Sequence, residues 1–182
     1  MDFTRARREW KESGMSEYNR TTRECPVSQL HAEVLQAFRK YFEEHQLGKL
    51  EAETLGCCET ISMKKKVDGL FSWLNASADT TIHMGIILAA DRLIWARRGD
   101  KSGTRLTAAH LNQISVQEHT SFFSDDQGLD IIGYVEGSNS AIRGYIGMGP
   151  ELATQKFCDE VKQAIAKVNP PVKKGWPKWM GG

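Results

Sequence analysis

The sequence predicts a mainly β domain with α-helices at its ends. Its centre reads as a seven-stranded antiparallel sheet, bent into a partly open barrel, with one helix before it and one capping it. Three observations predict this. Apolar residues alternate with a period of two in a series of short segments separated by turn residues, with no helical pattern between them, which requires antiparallel pairing. Segments 28–46 and 151–168 carry instead the three-and-four spacing of amphipathic helices. The composition, 182 residues with 40% hydrophobic and 26% charged side chains, is that of one ordinary globular domain and not of a disordered chain.

Residues 1–26 hold six basic and five acidic side chains and few apolar anchors, which predicts a flexible charged arm ending at Pro26. Residues 27–48 form the N-terminal helix: Ser28 suits an N-cap, Leu30, Val34, Ala37, Phe38, Tyr41 and Phe42 make one stripe, and Gly48 stops it. A stripe that wide needs cover from the domain or from a second copy of the chain, so a homo-oligomer is one expected outcome. The β domain then spans 49–169. Its first strand runs through Leu55, Cys57, Glu59, Ile61 and Met63 to Lys64-Lys65-Lys66. Strands at 80–88 and 93–97 meet across 89–92, and the turn Gly99 to Gly103 leads to a fourth at 104–108. Segments 113–119, 129–136 and 141–148 complete the set, joined by the polar loop 124–128 and the turn 137–140. Pro150 opens the closing helix, whose stripe of Phe157, Val161, Ala164, Ile165 and Val168 ends at Asn169-Pro170-Pro171. Residues 170–182, with Lys173, Lys174, Trp176, Lys178 and Trp179, show no period and read as a flexible basic tail.

Several function classes are disfavoured. Twenty-four basic against 23 acidic residues leave a net charge of +1, too small a global field to draw nucleic acid. No stretch approaches the roughly 20 apolar residues of a membrane helix, and the first residues lack a signal peptide's apolar region, so a cytoplasmic protein is expected. Cys25, Cys57, Cys58 and Cys158 contain no CxxC pair, and the adjacent Cys57 and Cys58 point to opposite faces of a strand, so reduced, structural thiols are expected. HExxH, GxSxG and phosphate-loop patterns are lacking, Gly144 to Gly149 reverses the dinucleotide fingerprint, and Asp125-Asp126 beside Gly128 reads as a turn. The expectation is no enzyme, no cofactor and no metal, with His31 and His83 as satisfied structural histidines.

The segment Gly85 to Trp95 resembles the hairpin of bacterial pleckstrin-homology-like domains, in which a Leu-Thr pair precedes Arg-Leu-Ile, with Ala90 departing from the usual Thr-type residue. Ile114-Ser115-Val116 is similar to the strand that follows there, and the helix from Phe157 to Val168 to their closing helix. The resemblance implies a binding or assembly module. The most distinctive stretch is the lysine triple Lys64, Lys65 and Lys66 followed by the apolar Phe71 and Trp73, with Arg97 and Arg98 on the next hairpin beside Arg92, Lys101 and Arg105. In that family basic residues at the end of the first strand hold lipid phosphates; here the second strand's positions read Thr80-Thr81-Ile82-His83, so half of the pattern is missing. The expected ligand site is Lys64, Lys65, Lys66, Phe71, Trp73, Arg97 and Arg98, for a partner protein or an anionic lipid surface, possible peripheral membrane attachment included. The competing reading is a small-molecule carrier or enzyme using a pocket in the barrel.

Overall fold

The structure, a computed structural model, describes residues 18–65, 79–120 and 127–170. Among the described residues three α-helices and a set of antiparallel strands follow in the order β1 (Tyr18–Glu24), α1 (Ala32–Glu44), α2 (Leu50–Glu53), β2 (Thr54–Lys64), β3 (Thr81–Ala89), β4 (Arg92–Gly99), β5 (Gly103–His110), β6 (Ile114–Thr120), β7 (Gln127–Gly133), β8 (Ile142–Met148) and α3 (Leu152–Val168). The strands form two sheets, β1 to β5 and β6 to β8, each a meander of neighbours. In place of the expected single seven-stranded sheet, the described residues form eight strands in two sheets that do not close. The break falls at the turn Leu111–Gln113, where Leu111 is fully buried and the chain passes from one sheet to the other.

The five-stranded sheet is covered on both sides, and alternation along each strand sorts residues between two cores. On the inner face, Cys58, Ile86, Leu88, Leu93 and Ala109 pack with Leu129, Ile131, Ile146 and Met148 of the second sheet and with Phe157, Cys158 and Val161 of α3. On the outer face, Cys57, Ile87, Ile94, Ala96 and Ala108 pack under α1 and α2 through Val34, Phe38, Tyr41, Phe42 and Leu50. This explains the continuous apolar run Ile86-Ile87-Leu88, which a one-sided strand would not show. α1 lies close to the sheet because Gly85 is under it: a side chain there would approach Val34 Cγ1 to 2.7 Å.

Three expectations are corrected and, for the helix stripe, one of two expected covers is found. Tyr18–Glu24, read as part of a flexible arm, is a strand paired with β2 from Tyr18 opposite Lys64 to Glu24 opposite Cys58. It has almost no apolar signature because polar contacts hold it: Thr22 Oγ1 lies 2.8 Å from Thr60 Oγ1 with both residues buried, and Arg23 pairs with Glu59 at 2.6 Å. Ser28 is no helix cap; Val27–Gln29 is a single 3-10 turn and α1 starts after His31. The stripe of α1 is covered by the outer face of the sheet, so its width alone does not call for a second copy. In α3, Phe157 and Val161 are buried but Val168 is 38% exposed, so the end of the helix lies beyond the core.

Candidate functional site

Direct partners across an antiparallel sheet share a face, so the register places each predicted cation. One row crosses the five-stranded sheet as Thr22, Thr60, Met84, Arg97 and Arg105. Thr22 and Thr60 are buried, Met84 is half-buried, and Arg97 and Arg105 are exposed, so the row climbs from core to solvent. The adjoining row begins with Arg20 and runs through Ser62 and Ile82 to Gly99 and Gly103, and Tyr18 with Lys64 begins the row after that. Arg20, Lys64, Arg97 and Arg105 therefore lie on the inner face toward the end of the sheet where it emerges from under α3 and the second sheet. Half-buried Trp95 and Met84 pack against the core beside the two exposed arginines.

The pairing of Arg97 with Arg105 is unfavourable by itself, because like charges directly opposite each other repel. Neither makes an ion pair among the described residues. Arg20 is engaged by aromatic faces, its guanidinium carbon 5.8 Å from the Tyr18 ring centroid and 6.0 Å from that of Tyr145. The carboxylates at this end are turned inward to the backbone. Asp79 accepts hydrogen bonds from Lys101 N at 2.7 Å, Ser102 N at 2.8 Å and Ser102 Oγ at 2.6 Å, which hold its carboxyl down at about 2. Asp100 accepts from Thr80 N at 2.8 Å, and the Thr80 hydrogen bonds hold it below its ordinary range.

The predicted residues are only partly brought together. Lys64 and Arg97 share the inner face. Arg98 does not: it faces outward, paired with Glu33 of α1, because adjacent residues on a strand alternate. Lys65 is half-buried just past β2, and Lys66, Phe71 and Trp73 lie outside the described residues. Arg92 is 8% exposed and belongs to a separate cluster. Arg105, expected beside Arg97 on that hairpin, does face it, whereas Arg20 joins the cationic face without having been expected there; the alternation of Tyr18, Arg20 and Thr22 was its signal.

Three further polar arrangements lie elsewhere. At the C-terminal end of α1, Tyr41 Oη donates to Glu136 at 2.8 Å and accepts from Arg92 Nη1 at 2.9 Å, while Arg92 grips Asp91 with bonds of 2.8 and 2.9 Å. Burial, then the bond to Glu136, push the Tyr41 hydroxyl up to about 12, and Asp91 raises Arg92. His45 and His110 each place Nε2 3.6 Å from a different oxygen of Glu136, bracketing it and not converging on one point. Near the start of α1, His31 and His83 stack with centroids 4.3 Å apart. Their Nδ1 atoms are buried without a partner, which corrects the expectation of satisfied histidines; burial and His31 lower His83. Between β1, α2 and the first residues of β2 lies an open groove of about 460 Å³, lined by Cys25, Val27, Glu51, Leu55 and Cys57 among others. Leu55 is 66% exposed there, at a bulge between Thr54 and Gly56 that turns it out of the ladder.

Among the described residues no His, Cys, Asp and Glu side chains gather as metal ligands, and no helix is long and apolar enough to cross a membrane. No family model, curated protein or solved structure matches the chain.

Proposed function

We propose that the chain is a non-catalytic binding module of pleckstrin-homology-like architecture that recognises an anionic group, on a partner protein or a membrane headgroup, through the cationic end of its inner face. What supports the reading is that seven strands, β2 to β8, split four and three, precede the closing helix α3, the order that the sequence resemblance implies, with β1 added at the edge. The observation that carries the reading is the facing pair Arg97 and Arg105, exposed and without an ion-pair partner among the described residues, beside half-buried Trp95 and Met84. An anion between the guanidinium groups relieves their repulsion, and the apolar floor gives a partner something to bury. Against a carrier or enzyme using the barrel interior, the positions facing inward are filled: Leu129, Ile131, Ile146, Met148 and Phe157 leave at most 2% of their surface exposed.

Cations near an anionic surface contribute about 1 kcal/mol each, so a few of them give weak, salt-sensitive attachment that apolar contact must supplement. The test uses the full chain and its Arg97→Glu, Arg105→Glu double variant. Each is presented to phosphatidylcholine vesicles with and without phosphatidylserine or a phosphoinositide, beside a pull-down from lysate. One anionic partner should bind the parent with affinity falling steeply with salt, and the double variant should lose it at unchanged melting temperature. A partner bound equally by both chains overturns the assignment of this face.

A further inference from the structure

Where β1 ends, the chain keeps one more rung with β2: the Cys25 N–H donates to the Cys57 carbonyl at 3.2 Å. The rung continues the register that sets Glu24 opposite Cys58, so Cys25 and Cys57 face each other across an antiparallel pair. Facing residues of a hydrogen-bonded rung have Cα atoms about 5.5 Å apart. The commonest Cα separation across a disulfide is about 5.5 to 6 Å. Both side chains point to the same face, since both belong to the core beneath α1. Both also line the open groove, where Cys25 is 7% and Cys57 6% exposed. The other two thiols differ on each count: Cys58 and Cys158 lie on the opposite face in the closed core and do not line the groove.

We propose that Cys25 and Cys57 are a redox-active dithiol that a low-molecular-weight disulfide such as oxidised glutathione converts into a cross-strand disulfide at the floor of the groove. The inference is independent of the anion-binding face. Cys25 is the attacking group, because the Arg23 cation, two residues before it on the same face of the strand, opposes the effect of burial there. Cys25 Sγ, having released its proton, attacks one sulfur of the oxidant; the sulfur–sulfur bond of the oxidant breaks and the first small thiol leaves with a proton. Cys57 Sγ, deprotonated in turn, attacks Cys25 Sγ and expels the second small thiol, which takes the second proton. Two protein thiols are oxidised to one disulfide and one small disulfide is reduced to two thiols. Burial raises both cysteines above their ordinary range, so the reaction is slow near neutrality and accelerates as pH rises. The bridge would tie the segment that leads into α1 to the sheet beneath it and fix the groove's floor.

The test equilibrates the folded full chain with graded ratios of oxidised to reduced glutathione, then alkylates the remaining thiols after denaturation. Two of the four cysteines should become protected, with a mass loss of two hydrogens and a linked peptide pair containing Cys25 and Cys57. Cys57→Ser should accumulate one glutathione adduct at Cys25, and Cys58→Ser should oxidise as the parent does. Four alkylated thiols at every ratio overturn the proposal, as does a bridge that includes Cys58 or Cys158. The peptide map of the unsubstituted chain decides the pairing by itself, should the Cys57 variant fold poorly.

Discussion

Removing one oxygen atom from Tyr41 tests the polar cluster that joins α1 to the rest of the protein. Tyr41 is 6% exposed, and Tyr41→Phe keeps the ring while deleting a hydroxyl that donates to Glu136 at 2.8 Å and accepts from Arg92 at 2.9 Å. Hydrogen bonds to charged groups contribute about 1.5 to 3 kcal/mol each. The loss falls below the sum of two, because Arg92 keeps its paired bonds to Asp91 and its 3.3 Å contact with Glu136, and because a buried hydroxyl no longer has to be desolvated. A destabilisation of about 2 to 3 kcal/mol is expected, which at about 2 to 4 °C per kcal/mol lowers the melting temperature by about 4 to 12 °C. Urea unfolding near neutral pH reads it as a lower midpoint at unchanged slope. The hydroxyl also titrates at about 12 in the folded chain against an ordinary 10.0. A folded value raised above the unfolded one stabilises fully below 10 and is lost as pH rises toward 12, so the parent should lose stability in that window and Tyr41→Phe should lose less. A change under about 0.5 kcal/mol, the usual span of an inconsequential surface substitution, would refute the cluster as a tie. Equal alkaline losses in both chains would do the same.

Other substitutions probe the remaining contacts. Phe157→Ala removes the largest side chain that α3 buries in the inner core and should lower stability by about 3 to 5 kcal/mol in the same urea assay. Gly85→Val places carbon where Val34 and Phe38 stand 2.7 and 2.9 Å away, so it should lift α1, at about 1 to 3 kcal/mol, with faster amide exchange confined to that helix. Asp79, held at about 2 against an ordinary 3.8, stabilises the β4–β5 turn above 3.8 and stops doing so as pH falls toward 2. Asp79→Asn should therefore flatten that part of the acid unfolding curve, followed by circular dichroism. If the curve keeps its shape, the hydrogen bonds from Ser102 and Lys101 are not what secures the turn.

The sequence made β2 to β8 and α3 legible because their residues answer to one local rule each: period two where a strand has two environments, period three to four where a helix has one. β1 escaped that rule. Its one buried position is Thr22, with the exposed Arg23 reaching across to the buried Glu59, and a threonine pair looks the same in sequence whether it lies in solvent or under a sheet. The split into two sheets was also hidden, since Leu111–Gln113 is a short turn whose buried leucine resembles a strand residue. For the candidate site, charge was readable and direction was not. Arg97 and Arg98 are neighbours in sequence and belong to opposite faces, while Arg97 and Arg105 are eight apart and belong to one.

The single sheet between two cores has a consequence for how changes in this protein combine. Ile86 and Ile87 are consecutive, yet one packs with Phe157 and Val161 and the other with Phe38 and Phe42. Double-mutant cycles should find Ile86 energetically closer to α3, some seventy positions away, than to its own neighbour. A compensating change for a lesion at an even-numbered position of β3 is thus to be sought in the second sheet and α3, and for one at an odd-numbered position in α1. Along this strand, parity and not proximity in the chain marks the residues that drift together.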